Sequence, residues 1–108
     1  MKKALAGSQR TYLRGLAHKL RPVIQVGKNG ITPELIKAVD DALGIHELIK
    51  VKFVDFKEEK KELTEGIAEG TSSEAVGLIG NVAIFYRQNP DEEKRKITLP
   101  AKRSPKAS

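Results

Sequence analysis

The chain has 108 residues and no cysteine, so it fits a single domain with one core and excludes a disulfide framework or a thiolate metal centre. Its net charge is +6 and its isoelectric point is near 9.7. No run approaches the roughly 18 apolar residues of a membrane-spanning helix, and no apolar leader follows Met1-Lys2-Lys3, so a soluble cytoplasmic protein without membrane attachment is expected.

The distribution of charge says more than its sum. From Met1 to Ile31 the charged residues are Lys2, Lys3, Arg10, Arg14, Lys19, Arg21 and Lys28, with no carboxylate among them. All 14 acids lie between Glu34 and Glu93, and Lys94, Arg95, Lys96, Lys102, Arg103 and Lys106 then restore the basic character. Such asymmetry predicts a polyanion-binding surface carried by the N-terminal third and the tail.

In chain order, Ser8 is a plausible N-cap for a helix over Gln9–Leu20, with Tyr12, Leu13, Leu16, Ala17 and Leu20 as its buried face. Arg10, Arg14 and His18 recur every four residues on an exposed stripe, and Arg21 follows three further on. A solvated face is the commonest reason for such a stripe. The absence of intervening acids favours a nucleic-acid backbone contact instead. Pro22 ends the helix and Val23–Val26 is the first strand.

Gly27-Lys28-Asn29-Gly30 then forms a loop, with Thr32 as N-cap and Pro33 at the first position of a second helix. Two glycines allow backbone to approach a ligand closely, and free N–H groups at a helix start favour an anion. Lys28 adds a full charge at the loop tip. The same glycines could serve only a tight turn, so the loop alone decides little.

Leu35, Ile36, Val39, Ala42 and Leu43 make the apolar side of the second helix, which Gly44 is expected to stop. Leu48–Phe56 reads as a strand in which Ile49, Val51 and Phe53 alternate with Lys50 and Lys52 on the wet face. A third helix over Lys57–Gly70 is rich in glutamate, with Leu63 and Ile67 as its thin apolar seam, and should face away from a polyanion. Ala75–Ile79 and Val82–Arg87 flank Gly80-Asn81, a two-residue hairpin signal. Pro90–Glu93 is a turn, Lys94–Leu99 could form a short last strand, and Pro100–Ser108 a mobile basic tail. The predicted fold is a compact α/β domain over residues 1–100, with a small mixed four-stranded sheet, three helices and a flexible tail over 101–108.

Catalytic constellations are missing. His18 and His46 lie on different elements, no His, Cys or carboxylate cluster has metal-ligand spacing, and the glycine loop lacks the Gly-Lys-Ser/Thr of a phosphate-binding Walker loop. No cofactor and no enzymatic activity are expected.

Four separated blocks closely resemble one family. They are Arg10–His18, Pro22–Thr32, His46–Lys52, and Ile79-Gly80 with Tyr86-Arg87. The chain is similar over most of its length to the YhbY family, the single-domain bacterial form of the CRM domain (chloroplast RNA splicing and ribosome maturation). The resemblance implies an RNA-binding domain whose fold is similar to the C-terminal domain of bacterial translation initiation factor three. Its single-domain members are linked to precursors of the large ribosomal subunit, and plant relatives to intron splicing.

The family's GxxG loop maps onto Gly27, Lys28, Asn29 and Gly30, and its basic first helix onto Arg10, Arg14, His18, Lys19 and Arg21. The expectation is a monomeric, non-enzymatic protein that engages ribosomal RNA of the large-subunit precursor, with ribosomal proteins as further partners. Base stacking is expected to be minor, because Tyr12, Tyr86 and the three phenylalanines read as core. The rival readings are a DNA-binding module, a protein-interaction scaffold on assembling ribosomes, and an RNA-processing enzyme using His18.

Overall fold

The computed structural model describes residues 5–100. Its elements are α1 (Gly7–Ala17), β1 (Ile24–Val26), α2 (Pro33–His46), β2 (Leu48–Phe53), α3 (Lys60–Thr71), β3 (Glu74–Ile79) and β4 (Val82–Tyr86), followed by a 3-10 turn at Glu92–Lys94. The strands form one sheet in the order β1-β2-β4-β3. β1 runs parallel to β2, and β4 is antiparallel to both β2 and β3. Three helices on a small mixed sheet are thus present as the sequence predicts, with the hairpin folded so that β4 lies beside β2.

The alternation in β2 sorts the molecule into layers. Ile49, Val51 and Phe53 point into a core with Val39 and Leu43 of α2 and Ile67 of α3, completed by Val26, Ala83 and Phe85. Leu48 points to the opposite face, where it joins Leu13 and Ala17 of α1 with Val76, Ile84 and Tyr86. One face of the sheet therefore carries α2 and α3, and the other carries α1. The two covering helices pack closely because α3 presents Gly66 and Gly70 to Ile31 and Ile36; a Cβ at Gly70 would come within 3.2 Å of Ile36 Cδ1.

Thr32 caps α2 as expected, its Oγ1 accepting from Leu35 N at 3.0 Å, and Pro33 is the first helical residue. Gly80 (φ +60) occupies the first central position of the two-residue turn between β3 and β4, where a type II′ hairpin needs glycine.

Several boundaries move. α1 starts at Gly7 rather than after Ser8, because the Gln9 side chain accepts from Ala6 N at 3.0 Å, and it ends at Ala17. Its buried positions are Gln9, Leu13 and Ala17, one residue per turn. Tyr12, Leu16 and Leu20, expected inside, are 37–42% exposed. A single helix laid on a sheet buries only its central stripe. Leu16 and Leu20 instead line an open apolar cleft of about 460 Å³ with Val23, Leu48 and Ile97.

Gly44 does not stop α2; the helix continues to His46 and ends at Glu47 in a left-handed conformation (φ +63). Glu47 is fully buried. Its carboxylate accepts from Asn89 N (2.6 Å), Lys96 N (2.7 Å) and Ile97 N (3.0 Å). The helix end is set by this carboxylate's place in the structure rather than by the nearest glycine. The same bonds explain why Lys94–Leu99 is not a strand. Lys94 closes the 3-10 turn, and residues 95–99 are an extended strap, tied at Glu47 and packed against the α1 cluster through Ile97 and Leu99. Gln9 Nε2 donates to Pro100 O at 3.0 Å at its far end. The tail residues Lys102, Arg103 and Lys106 lie outside the described residues, as do Lys2 and Lys3. Among the described residues no helix is long and apolar enough to cross a membrane.

Candidate nucleic-acid interface

The Gly27–Gly30 loop is a closed turn. Gly30 N donates to Gly27 O at 3.0 Å, which places Lys28 and Asn29 at the tip, both exposed. Gly30 has φ +65, so it needs the freedom of glycine, and a Cβ there would come within 3.3 Å of the Phe56 ring. A Cβ at Gly27 would meet nothing within 4 Å. The two glycines therefore differ: Gly30 makes the turn, and Gly27 leaves open space over the backbone. The helix that follows has less to offer an anion than its sequence suggests. Pro33 has no N–H, Leu35 N is taken by Thr32 Oγ1, Ile36 N by Thr32 O, and Glu34 brings a carboxylate to the first turn. The charge at this end comes from Lys28.

The arginines of α1 are not a free stripe. Arg10 Nη1 pairs with Glu74 at 3.0 Å and its Nη2 donates to Ala75 O at 2.6 Å. Arg14 Nη1 donates to Val76 O at 2.9 Å and its Nη2 to Thr11 Oγ1 at 3.1 Å. β3 is an edge strand, and its register slips between Ala75 and Gly77. The two guanidinium forks occupy carbonyls that the bulged edge leaves unpaired. Arg14 reaches them across Gly77, where a Cβ would approach its Cδ within 3.0 Å. Like charges one turn apart are thus held by a strand edge that needs both.

His18, Lys19 and Arg21 lie beyond the end of α1, all exposed. Here the chain turns into β1, and Lys50 Nζ of β2 donates to Leu20 O at 3.0 Å. Val23 N donates to Lys50 O, so this turn sits at the start of β1 while the glycine loop sits at its end. A strand rises roughly 3.3 Å per residue, so the two ends of β1 are about 10 Å apart. Cross-strand pairing puts Gln25 beside Lys52, and both continue the face that carries Leu48 and Lys50. α1 leaves this part of the sheet open. Among the described residues of that face, Val23, Gln25, Lys50, Lys52, Val82 and Ile79 include no acid, and Glu74, at the β3 side, is paired with Arg10. Glu62, Glu65 and Glu69 of α3 belong to the opposite layer, whereas Glu58 and Glu59, expected in the same helix, precede it in the loop between β2 and α3. Among the described residues no group of three or more His, Cys, Asp or Glu is placed to hold a metal ion.

The profile of the CRS1/YhbY (CRM) domain matches residues 5–87. The chain belongs to the CRM domain family. This CRM domain is 38% identical over 97 residues to the probable RNA-binding protein YqeI of Bacillus subtilis, covering 89% of this chain and 99% of the relative. It is 41% identical over 99 residues to an RNA-binding protein of Haemophilus influenzae, covering 91% and 97%. Among solved structures, the hypothetical protein SAV1595 of Staphylococcus aureus superposes with a TM-score of 0.75 at 42% identity, covering 90% of this chain and all of that one.

Within this CRM domain the nine residues singled out by sequence fall into three places. Gly27, Lys28, Asn29 and Gly30 form the loop at one end of β1. His18, Lys19 and Arg21 gather at its other end. Arg10 and Arg14 sit at the far edge of the sheet, bonded to β3. Lys50 and Lys52 were legible only as the wet side of a strand, and Gln25 was not singled out; the signal that could have promoted all three was the lack of any acid on the same side of β1 and β2.

Proposed function

We propose that this CRM domain is a non-enzymatic RNA-binding protein, monomeric and cytoplasmic, that engages structured ribosomal RNA in precursors of the large ribosomal subunit. The observation that carries the reading is the acid-free strip of sheet, bearing Lys50 and Lys52, that joins Lys19 and Arg21 to Lys28. A backbone laid along β1 meets positive charge at both ends and between them, and the open space over Gly27 admits a phosphate close to the main chain. The RNA-binding names of the relatives and the family's ribosomal setting support the choice of RNA and of its source. Arg10 and Arg14 act in this reading chiefly by holding α1 in place.

The test compares two charge reversals of equal size. Lys52→Glu lies on the strip and Lys61→Glu on α3 in the opposite layer, and both side chains are exposed. Binding of a structured ribosomal RNA fragment is expected to weaken by about tenfold or more for Lys52→Glu and by less than about twofold for Lys61→Glu. Equal losses would mean that net charge alone governs binding. Displacement of the RNA by equimolar duplex DNA at the same salt would point to a general polyanion site instead.

A further inference from the structure

Phe56 is unlike the other phenylalanines. Phe53 and Phe85 are completely buried, whereas Phe56 is 37% exposed in the loop between β2 and α3. Its φ is +55, a left-handed conformation that glycine or asparagine adopts readily and a bulky residue does not. The loop is fastened there: Val54 N and Asp55 N both donate to Val26 O at 3.0 and 3.2 Å, and Phe56 N donates to Asp55 Oδ1 at 2.9 Å. Val26 is the residue just before the glycine loop, and the ring of Phe56 rests against Gly30. An aromatic ring is thus held, against its backbone preference, beside the Lys28 turn with much of its surface in water. Strained non-glycine residues of this kind concentrate at ligand contacts.

The surrounding charge narrows what the ring can meet. Asp55, Lys57, Glu58 and Glu59 flank it, all exposed, so this loop sets three carboxylates against one lysine, while Lys28 stands at the tip of the turn that Gly30 closes. A phosphate is drawn to Lys28 at the turn and repelled by the net negative charge of the loop that carries Phe56. A flat neutral group is what this flank accepts.

We propose that Phe56 is a stacking platform for an unpaired nucleobase, the base of a nucleotide whose phosphate lies at the Gly27–Gly30 turn. The proposal rests on the RNA-binding reading above and sharpens it: the ligand presents a loop, bulge or end at this point rather than a continuous duplex, whose bases are already stacked on one another.

The experiment uses the full chain with two RNAs of equal length and salt, a hairpin with an unpaired loop and a perfect duplex, with 2-aminopurine at one unpaired position of the hairpin. Phe56→Leu keeps an apolar side chain on Gly30 but has no π face. It is expected to bind the hairpin about 5- to 100-fold more weakly, to bind the duplex unchanged, and to lose the 2-aminopurine quenching given by the unaltered protein. Phe56→Tyr is expected to retain both hairpin affinity and quenching. Equal weakening on both RNAs would make Phe56 a support for the turn and overturn stacking, as would unchanged hairpin binding by Phe56→Leu or no quenching by the unaltered protein. Should the unaltered protein bind neither RNA, the RNA-binding reading itself falls, an outcome distinct from these.

Discussion

Removing the carboxylate of Glu47 is expected to be among the most damaging single changes in the domain. Three backbone donors, Asn89 N, Lys96 N and Ile97 N, end on this one fully buried group at 2.6–3.0 Å. A hydrogen bond to a charged partner contributes about 1.5–3 kcal/mol, but these three share an acceptor, and the half-exposed strap can turn its freed amides toward water. We expect a loss of about 3–5 kcal/mol for Glu47→Ala, a large part of the roughly 5–15 kcal/mol that stabilises a domain of this size. Glu47→Gly removes the same carboxylate but suits φ +63, so it should be less harmful than alanine by about 1 kcal/mol. Denaturant unfolding followed by circular dichroism gives both differences, and hydrogen exchange at Asn89, Lys96 and Ile97 locates them. If Glu47→Ala unfolds within about 1 kcal/mol of the unaltered protein, with those amides still protected, the carboxylate is not what fastens the strap.

Three further outcomes follow from the geometry. Gly30→Ala should destabilise the domain by about 1–2 kcal/mol, from its left-handed φ and the approach to Phe56, whereas Gly27→Ala should leave thermal stability unchanged while weakening RNA binding. Arg14→Ala should cost about 1–2 kcal/mol and make the protein prone to self-association through the uncovered edge of β3, seen as growth in light scattering with concentration. Burial, aided by the neighbouring Glu47 charge, raises the Tyr86 phenol from the usual 10.0 to about 12, so the folded state keeps a proton that the unfolded chain gives up. Stability from this group is therefore intact below pH 10 and lost, by about 2–3 kcal/mol, as pH rises from 10 toward 12; Tyr86→Phe should flatten that decline.

What could be read from sequence was local in origin. Thr32-Pro33 declared the start of α2 because both a side-chain cap and a missing N–H act within one turn. The alternation of Ile49, Val51 and Phe53 with Lys50 and Lys52 declared a half-buried strand, and Gly80-Asn81 declared its hairpin, for the same reason. What escaped depended on partners far along the chain. The forks of Arg10 and Arg14 reach residues more than 60 positions away, so their use on the β3 edge looked like free charge. Glu47 carried no signal in the sequence because its three donors lie more than 40 positions later. Phe56 read as core because its composition is apolar, and only the backbone shows that it is held at the surface.

The candidate site divides along the same line. The glycine loop was legible from two glycines and a lysine, since a turn of four residues is decided by those residues. The strip of sheet that links it to Lys19 and Arg21 required the register of β1 against β2, which no single strand encodes.

The salt dependence of RNA binding tests the central claim most directly. Each neutralised phosphate contributes about 0.7–0.9 to the slope of log affinity against log salt. Replacing both Lys28 and Lys52 by alanine should therefore reduce the slope by about 1.4–1.8 relative to the unaltered protein. A slope that does not change would show that no phosphate is held between the glycine loop and the open sheet.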